Sequence, residues 1–124
     1  MLPDELRLRK NHEFRRAYSR GRAHVHELVV LHALKRRDDP KDNMRLGFVV
    51  TKKQGNAVAR NRIRRRLREA VRERLDEFSA IRTDLVFVGR SKARMASWHE
   101  VQAAVDQVLT RAGTLHLAAS VEPT

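Results

Sequence analysis

An apolar stripe of helical period runs through the most basic part of the chain. Its members recur at intervals of three and four residues, and they are Ile63, Leu67, Ala70, Val71, Leu75 and Phe78. This spacing predicts an amphipathic helix from about residue 57 to about residue 79. Because such a helix is stable only when its apolar side is buried, the rest of the chain has to supply an apolar surface for it.

Three segments of strand character can supply that surface. Residues 23–34 and 44–51 are rich in β-branched and apolar residues, and 84–88 is a short run that is apolar on both faces. The short polar connection between the first two predicts that they pair as antiparallel strands. The length of 23–34 leaves open whether it contains one strand or two.

Alternation along these strands assigns side chains to faces. Val30 and His32 share a face of the first segment. On the second segment Gly47, Val49 and Thr51 share a face in the same way.

Two further helices have recognisable ends. Asn11 as N-cap and Gly21 as a left-handed C-terminal residue bound a predicted helix over 11–20. Ser97 and Glu100 have the spacing of a capping box, and Gly113 ends the helix that follows. The buried stripe of this last helix is predicted to contain Trp98, Val101, Val105, Val108, Leu109 and Ala112.

The order α-β-β-α-β-α, without an internal repeat or linker, predicts a single α+β domain over 1–124 in which helices cover a small sheet. Residues 1–9 and the segment after Gly113 have no clear period. We expect a flexible N-terminal arm and a largely unstructured C-terminal tail.

The charge distribution indicates a polyanionic partner. The net charge is +12, and residues 52–74 contain ten cations against two carboxylates, which is eight of those twelve charges. A solvated helix face would interleave Glu with Lys or Arg, whereas this face repels itself unless a partner neutralises it. Arginine predominates, and its planar guanidinium suits phosphate.

Composition also indicates the compartment. There are no cysteines, which excludes disulfides, thiolate metal sites and cysteine nucleophiles. The first 14 residues lack the apolar stretch of a signal peptide, and no segment has the length of a membrane span. We therefore expect a cytoplasmic protein without a membrane partner.

The segment LGFVVTKKQGNAVARNRIRRRLREAVR, residues 46–72, closely resembles the signature of the protein subunit of bacterial ribonuclease P, whose core is R-N-R. The resemblance covers about residues 6–112. It implies an α-β-β-β-α-β-α sandwich with a left-handed βαβ crossover, which runs against the usual right-handed rule. It also implies a protein that assists a catalytic RNA in removing the 5′ leader of precursor tRNA.

The resemblance implies two sets of binding residues. The first set lies against ribonuclease P RNA and comprises Lys52, Lys53, Asn56, Arg60, Asn61, Arg62, Arg64, Arg65, Arg66 and Arg68. The second holds the leader of precursor tRNA and comprises Phe14, Tyr18, His32, Thr51 and Arg90. A row of guanidiniums suits duplex RNA, which is recognised by shape and phosphate, and aromatic platforms suit single strands.

Some of these assignments have structural alternatives. Phe14 is equally compatible with core packing, and Asn61 with a local cap. The family often has Tyr where this chain has His32, which weakens a stacking role there.

The sequence does not supply a catalytic site of its own. Asp38, Asp39 and Asp42 have the character of turn residues, and His24 and His26 lack a third metal ligand. We therefore expect no catalytic residue in this chain, and the resemblance implies that Mg²⁺ in the holoenzyme is held mainly by the RNA.

Other functions remain possible at this stage. A ribosomal or other structural RNA-binding protein is the main alternative, because charge and composition fit it equally well. A DNA-binding helix-turn-helix is disfavoured, since the basic helix follows a strand, and no DNA partner is expected.

Overall fold

The computed structural model of the chain describes residues 2–3, 6–37, 43–78 and 82–114. Its regular elements, in chain order, are α1 (Asn11–Arg20), β1 (Arg22–Val25), β2 (Val29–Lys35), β3 (Arg45–Val49), α2 (Ala57–Arg72), β4 (Thr83–Gly89) and α3 (Trp98–Arg111). This order confirms the α+β class and the α-β-β-β-α-β-α succession that the resemblance implies. Within the described residues, no helix is both long and apolar enough to cross a membrane.

The predicted strand 23–34 is two strands. β1 and β2 are antiparallel, and the turn between them is closed when His26 donates its backbone N–H to the carbonyl of Val29, at 2.9 Å. The imidazole Nδ1 of the same histidine accepts from the backbone N–H of Leu28, at 3.0 Å. His26 therefore stabilises a turn between β1 and β2. The apolar residues on both sides of the turn gave the segment the sequence pattern of one continuous strand.

The predicted antiparallel pairing of 23–34 with 44–51 is wrong. The strand order is β1-β2-β4-β3, so β4 separates β2 from β3. β4 pairs antiparallel with β2 and parallel with β3, and α2 connects the parallel pair. The reason lies in β4, whose Leu85, Val86 and Phe87 are fully buried. A strand that is apolar on both faces belongs inside a sheet rather than at its edge.

Helices cover both faces of the sheet. α2 and α3 pack on one face around Leu31, Leu85 and Phe87. α1 packs on the other face, where Ala17 meets Val86. Two leucines from the predicted arm, Leu2 and Leu8, are also buried. The backbone N–H of Leu8 donates to the carbonyl of Leu46, at 2.9 Å, so this part of the segment lies along the open edge of β3.

The predicted helix ends need three corrections. The N-cap position of α1 is Lys10 rather than Asn11. Gly21 is not left-handed, with φ −78°. Glycine is needed there because an added Cβ would lie 2.4 Å from the carbonyl oxygen of Ala17. α2 ends at Arg72 rather than 79, and a turn carries Leu75 and Phe78 to the core instead.

α3 begins where the capping box predicted. The hydroxyl of Ser97 accepts from the backbone N–H of Glu100, and the Glu100 carboxylate accepts from the backbone N–H of Ser97. Four residues of its predicted stripe are fully buried, namely Val101, Val105, Val108 and Leu109, whereas Ala112 is half-buried and Trp98 keeps 36% of its surface exposed. The predicted tail after residue 114 and the acidic turn residues Asp38, Asp39 and Asp42 lie outside the described residues.

Candidate nucleic-acid interface

The turn from β3 into α2 carries two lysines just before the N-terminus of α2. Lys52–Gln54 forms a short 3-10 turn in which both lysines are exposed. Gly55 follows with φ 138°, a backbone conformation that glycine adopts without strain. Glycine at this position therefore lets the chain turn from β3 into α2.

Asn56 caps α2. Its Oδ1 accepts from the backbone N–H of Ala59, at 2.9 Å. Asn56 was predicted to bind RNA, and its side-chain oxygen is used by the helix, so that the side-chain amide nitrogen is the remaining polar group. Asn56 acts on the interface chiefly by setting where α2 begins.

The arginines of α2 divide between one outward face and two flanks. Arg65 and Asn61 are exposed on the side opposite the buried Ile63 and Leu67. Arg60, Arg64 and Arg68 follow one another at intervals of four residues and are half-buried along one flank. Arg62 and Arg66 lie on the opposite flank, toward the turn before α3.

The guanidinium of Arg66 makes most of its hydrogen bonds within the protein. Its guanidinium donates to the carbonyl oxygens of Ala93, Arg94 and Ala96, at 2.5, 3.1 and 2.6 Å. Burial and the neighbouring Arg62 lower the pKa of Arg66 from its usual value. Arg66 was predicted to belong to the RNA-facing row, and its main contacts within the protein hold the 91–97 turn against α2.

Asn61 and Arg64 form a pair on the helix surface. Asn61 Oδ1 accepts from Arg64 Nη1, at 2.7 Å. The asparagine thereby orients a guanidinium instead of capping the helix. The Nε atom of Arg60, on the same flank, is buried without a hydrogen-bond partner.

Arg64 and Arg68 border a cleft of about 250 Å³ at the edge of β3. Its other lining residues are Leu2, Arg7, Leu8, Phe14, Leu46, Gly47 and Phe48. The cleft combines an apolar floor with a cationic rim. Phe14, one of the predicted leader-binding residues, is half-buried in this cleft, and its ring packs so closely on Gly47 that a Cβ there would lie 2.5 Å from it.

The C-terminal end of α2 is not an unopposed cationic face. Arg72 pairs with Glu69 at 2.8 Å. Arg74 binds Asp106 of α3 at 2.7 Å, and it also pairs with Glu77. The hydrogen bonds that Arg74 donates to Asp106 and then to Glu77 raise the pKa of Arg74. The repulsion expected between the cationic side chains of residues 52–74 is therefore confined to the part before Glu69.

The sheet face beside α1 carries the other predicted site. Tyr18 of α1 lies over His32 of β2, with their ring centroids 5.0 Å apart and the rings nearly perpendicular. Burial raises the pKa of Tyr18 and lowers that of His32. The Nδ1 atom of His32 is buried without a hydrogen-bond partner. The structure thus brings Tyr18 and His32 together, as the leader prediction requires.

The next register row of this face is made of valine in all four strands. Register pairs Val25 with Val30, Val30 with Val88, and Val88 with Val49. We call these four side chains the valine row. Val25 is exposed and the other three are half-buried. Three inter-strand spacings make the row about 14 Å long.

Thr51 and Arg90 lie beyond one side of the valine row. Each comes two residues after a valine of the row, and both are exposed. Arg90 reaches toward the end of β1, since its Nη1 donates to the carbonyl of His26 at 3.3 Å. Four of the five predicted leader residues thus surround an open apolar floor, while Phe14 faces the neighbouring cleft.

A charged network missed by sequence reasoning positions α1 over the sheet. Arg45 of β3 binds Glu13 of α1 at 2.5 Å and Asp84 of β4 at 2.8 Å. Arg36 binds the same Asp84, which is fully buried. Periodicity could not find these partners, because they are up to 48 residues apart in sequence.

Among the described residues there is no group of three or more His, Asp or Glu side chains that could hold a metal ion. The buried carboxylates of Glu13 and Asp84 are instead bound to guanidiniums. The predicted weak pair of His24 and His26 does not extend into such a group.

Comparison with known proteins identifies what the chain resembles. The family model Ribonuclease P matches residues 2–113. The ribonuclease P protein component of Gluconacetobacter diazotrophicus is 46% identical, with 86% of this chain and 90% of the relative covered. The Clostridium novyi component is 39% identical, with 86% and 93% covered. The solved structure of the Staphylococcus aureus RNase P protein has a TM-score of 0.76 and 30% identity, covering 89% of this chain and 97% of that one.

Proposed function

The chain belongs to the ribonuclease P protein family and is thus part of the ribonuclease P endoribonuclease, with ribonuclease P RNA as its partner; from this premise we propose that it binds that RNA through α2 and the 5′ leader of precursor tRNA through the valine row. The family relation disfavours the alternative of a ribosomal protein. We place the complex in the cytoplasm.

The observation that carries the leader assignment is the partly exposed valine row. An apolar floor about 14 Å long lies beside an aromatic pair, and Thr51 and Arg90 border it. Single-stranded nucleic acid is held by this combination, because bases need flat apolar contact and phosphates need cations. A duplex could not present its bases to such a floor.

The surface for the RNA subunit is more restricted than the arginine count suggests. Lys52, Lys53, Arg62 and Arg65 are exposed, while Arg66 is committed to carbonyl groups. The half-buried flank of Arg60, Arg64 and Arg68 lies on the side of α2 that faces the cleft at β3. We assign the exposed group to phosphates of the RNA subunit, and the flank to the border between that RNA and the leader.

In this assignment the protein supplies positive charge and position, while Mg²⁺ is held mainly by the RNA. The described carboxylates support this division, because the buried ones neutralise guanidiniums within the fold. Cations between the RNA and the leader reduce the repulsion between their phosphates. Cleavage of the phosphodiester bond then depends on groups of the RNA subunit.

The test compares precursor tRNA with mature tRNA in the reconstituted holoenzyme. Tyr18→Ala should weaken binding of the precursor by about 1–3 kcal/mol, the usual effect of losing one stacked base. Binding of mature tRNA should not change, because it lacks the leader. Thr110→Ala, a surface change on α3, is the matched control. Equal losses for both tRNAs in a folded Tyr18→Ala protein would contradict the assignment.

A further inference from the structure

One aromatic side chain is exposed on the opposite side of the sheet from the valine row. Trp98 is the first residue of α3 and retains 36% of its surface in contact with solvent. Met95, three residues earlier, is 82% exposed. Neither is used by the leader site, because α2 and α3 cover the other face of the sheet from α1.

Hydrogen bonds from α2 hold the 91–97 turn, which carries Met95 and leads into Trp98. Arg66 donates to the carbonyls of Ala93, Arg94 and Ala96, and Arg62 Nε contributes a longer bond to Arg94, at 3.4 Å. The reciprocal Ser97 and Glu100 cap then begins α3 directly before the indole. A surface aromatic on such a support is preorganised for contact, since little conformational freedom remains to be lost on binding.

The side chains around the 91–97 turn are mainly cationic, which favours a polyanionic partner. Arg94 is exposed in it, and Arg62 is exposed on the flank of α2 that it contacts. The nearby carboxylate of Glu100 is bound to the backbone N–H of Ser97 at 2.7 Å. An indole next to guanidiniums is the combination that stacks on an unpaired base while the cations meet its phosphates.

We propose that Trp98 stacks on an unstacked base of ribonuclease P RNA, next to the place where α2 meets that RNA. The proposal rests on the assignment of α2 to the RNA subunit and extends that surface to the 91–97 turn. The leader is not the source of the base, since the valine row lies on the other face of the sheet.

The experiment uses the unmodified protein, because Trp98 is the single tryptophan of the chain. Its fluorescence is recorded while ribonuclease P RNA is added, and acrylamide quenching is measured on the free and bound protein. Stacking should reduce the emission and lower the acrylamide quenching constant several-fold. Unchanged emission and unchanged acrylamide access in the fully bound protein would overturn the proposal.

Two variants separate stacking from general electrostatic attraction. Trp98→Ala should weaken binding of the RNA subunit about tenfold, whereas Trp98→Phe should retain most of the affinity because a ring remains. Both should keep the salt dependence of wild type, since no charge is removed. Equal affinity of Trp98→Ala and wild type would overturn the proposal.

A precursor tRNA titration without RNA subunit distinguishes this proposal from the leader assignment. Quenching by precursor but not by ribonuclease P RNA would overturn the proposal for Trp98. Failure of the Tyr18→Ala test, with Trp98 still quenched by ribonuclease P RNA, would remove the leader assignment and leave this one supported.

Discussion

Glu13 of α1 and Arg45 of β3 form an ion pair of 2.5 Å in which both side chains are largely buried. The same guanidinium binds Asp84 inside the sheet, at 2.8 Å. The position of α1 over the sheet therefore depends on a charge network. Because Tyr18 is on that helix, the network also positions the aromatic pair of Tyr18 and His32 in the proposed leader site.

Glu13→Gln should lower the free energy of unfolding by about 1–2 kcal/mol, because it removes a charged hydrogen bond while Asp84 still compensates Arg45. Urea denaturation at neutral pH measures the change. Glu77→Gln removes an exposed ion pair with Arg74 and is the matched control, expected to cost less than 1 kcal/mol. A loss for Glu13→Gln no larger than that of the control would contradict the role of the network.

The same residue makes stability depend on pH. Burial opposes ionisation of Glu13, but the backbone N–H of Lys10 and the charge of Arg45 outweigh it and lower its pKa in the folded state. The ionised form therefore contributes stability above the unfolded pKa of about 4.3, and this contribution is lost as pH falls through the lower folded pKa. In acid titrations of stability, Glu13→Gln should show a shallower decline than wild type. Superimposable slopes would argue against it.

Arg65→Ala and Arg66→Ala should have different effects although the residues are adjacent. Arg65 is exposed, so its loss should reduce the log–log salt slope for binding the RNA subunit by about one unit with little change in stability. Loss of Arg66 removes three carbonyl contacts and should cost about 1–3 kcal/mol of stability. Salt titrations and urea denaturation of both variants check this, and interchanged effects would disprove the division.

Gly21→Ala should destabilise the fold by about 2–3 kcal/mol through overpacking. Its φ of −78° suits any residue, but the new Cβ would lie 2.4 Å from the carbonyl oxygen of Ala17 and 3.0 Å from that of Ala33. Gly113→Ala is the contrasting variant, because Gly113 has φ 77° and nothing within 4 Å of the added atom. Its cost should be about 1 kcal/mol, from backbone strain alone. Thermal unfolding of the two proteins decides between the causes.

The benefit of the protein to cleavage should be greatest at low salt and low Mg²⁺. Cationic side chains and Mg²⁺ both neutralise phosphates, so each reduces the need for the other. Rates for the RNA subunit with and without protein, measured across a Mg²⁺ series, should converge as Mg²⁺ rises. A constant ratio across the series would contradict a mainly electrostatic role.

Local pattern in the sequence determined the helices, the strand segments and the basic signature. The stripe through Ile63 and Leu67 and the capping box at Ser97 both depend on residues a few positions apart, and each is present in the structure. The motif around Asn61 was also sufficient to indicate the family.

Only the tertiary structure decided how these elements meet. β4 lies between β2 and β3 because this position buries both of its faces. Which strands pair depends on the relative free energies of all possible strand orders, and these cannot be compared from local sequence. The use of Arg66 by the 91–97 turn depends on a contact about 30 residues distant in sequence. The valine row likewise exists only because three pairings align residues from four strands. Such long-range contacts leave no periodic signal, because their energies depend on the positions of whole elements and not on the spacing of neighbouring residues.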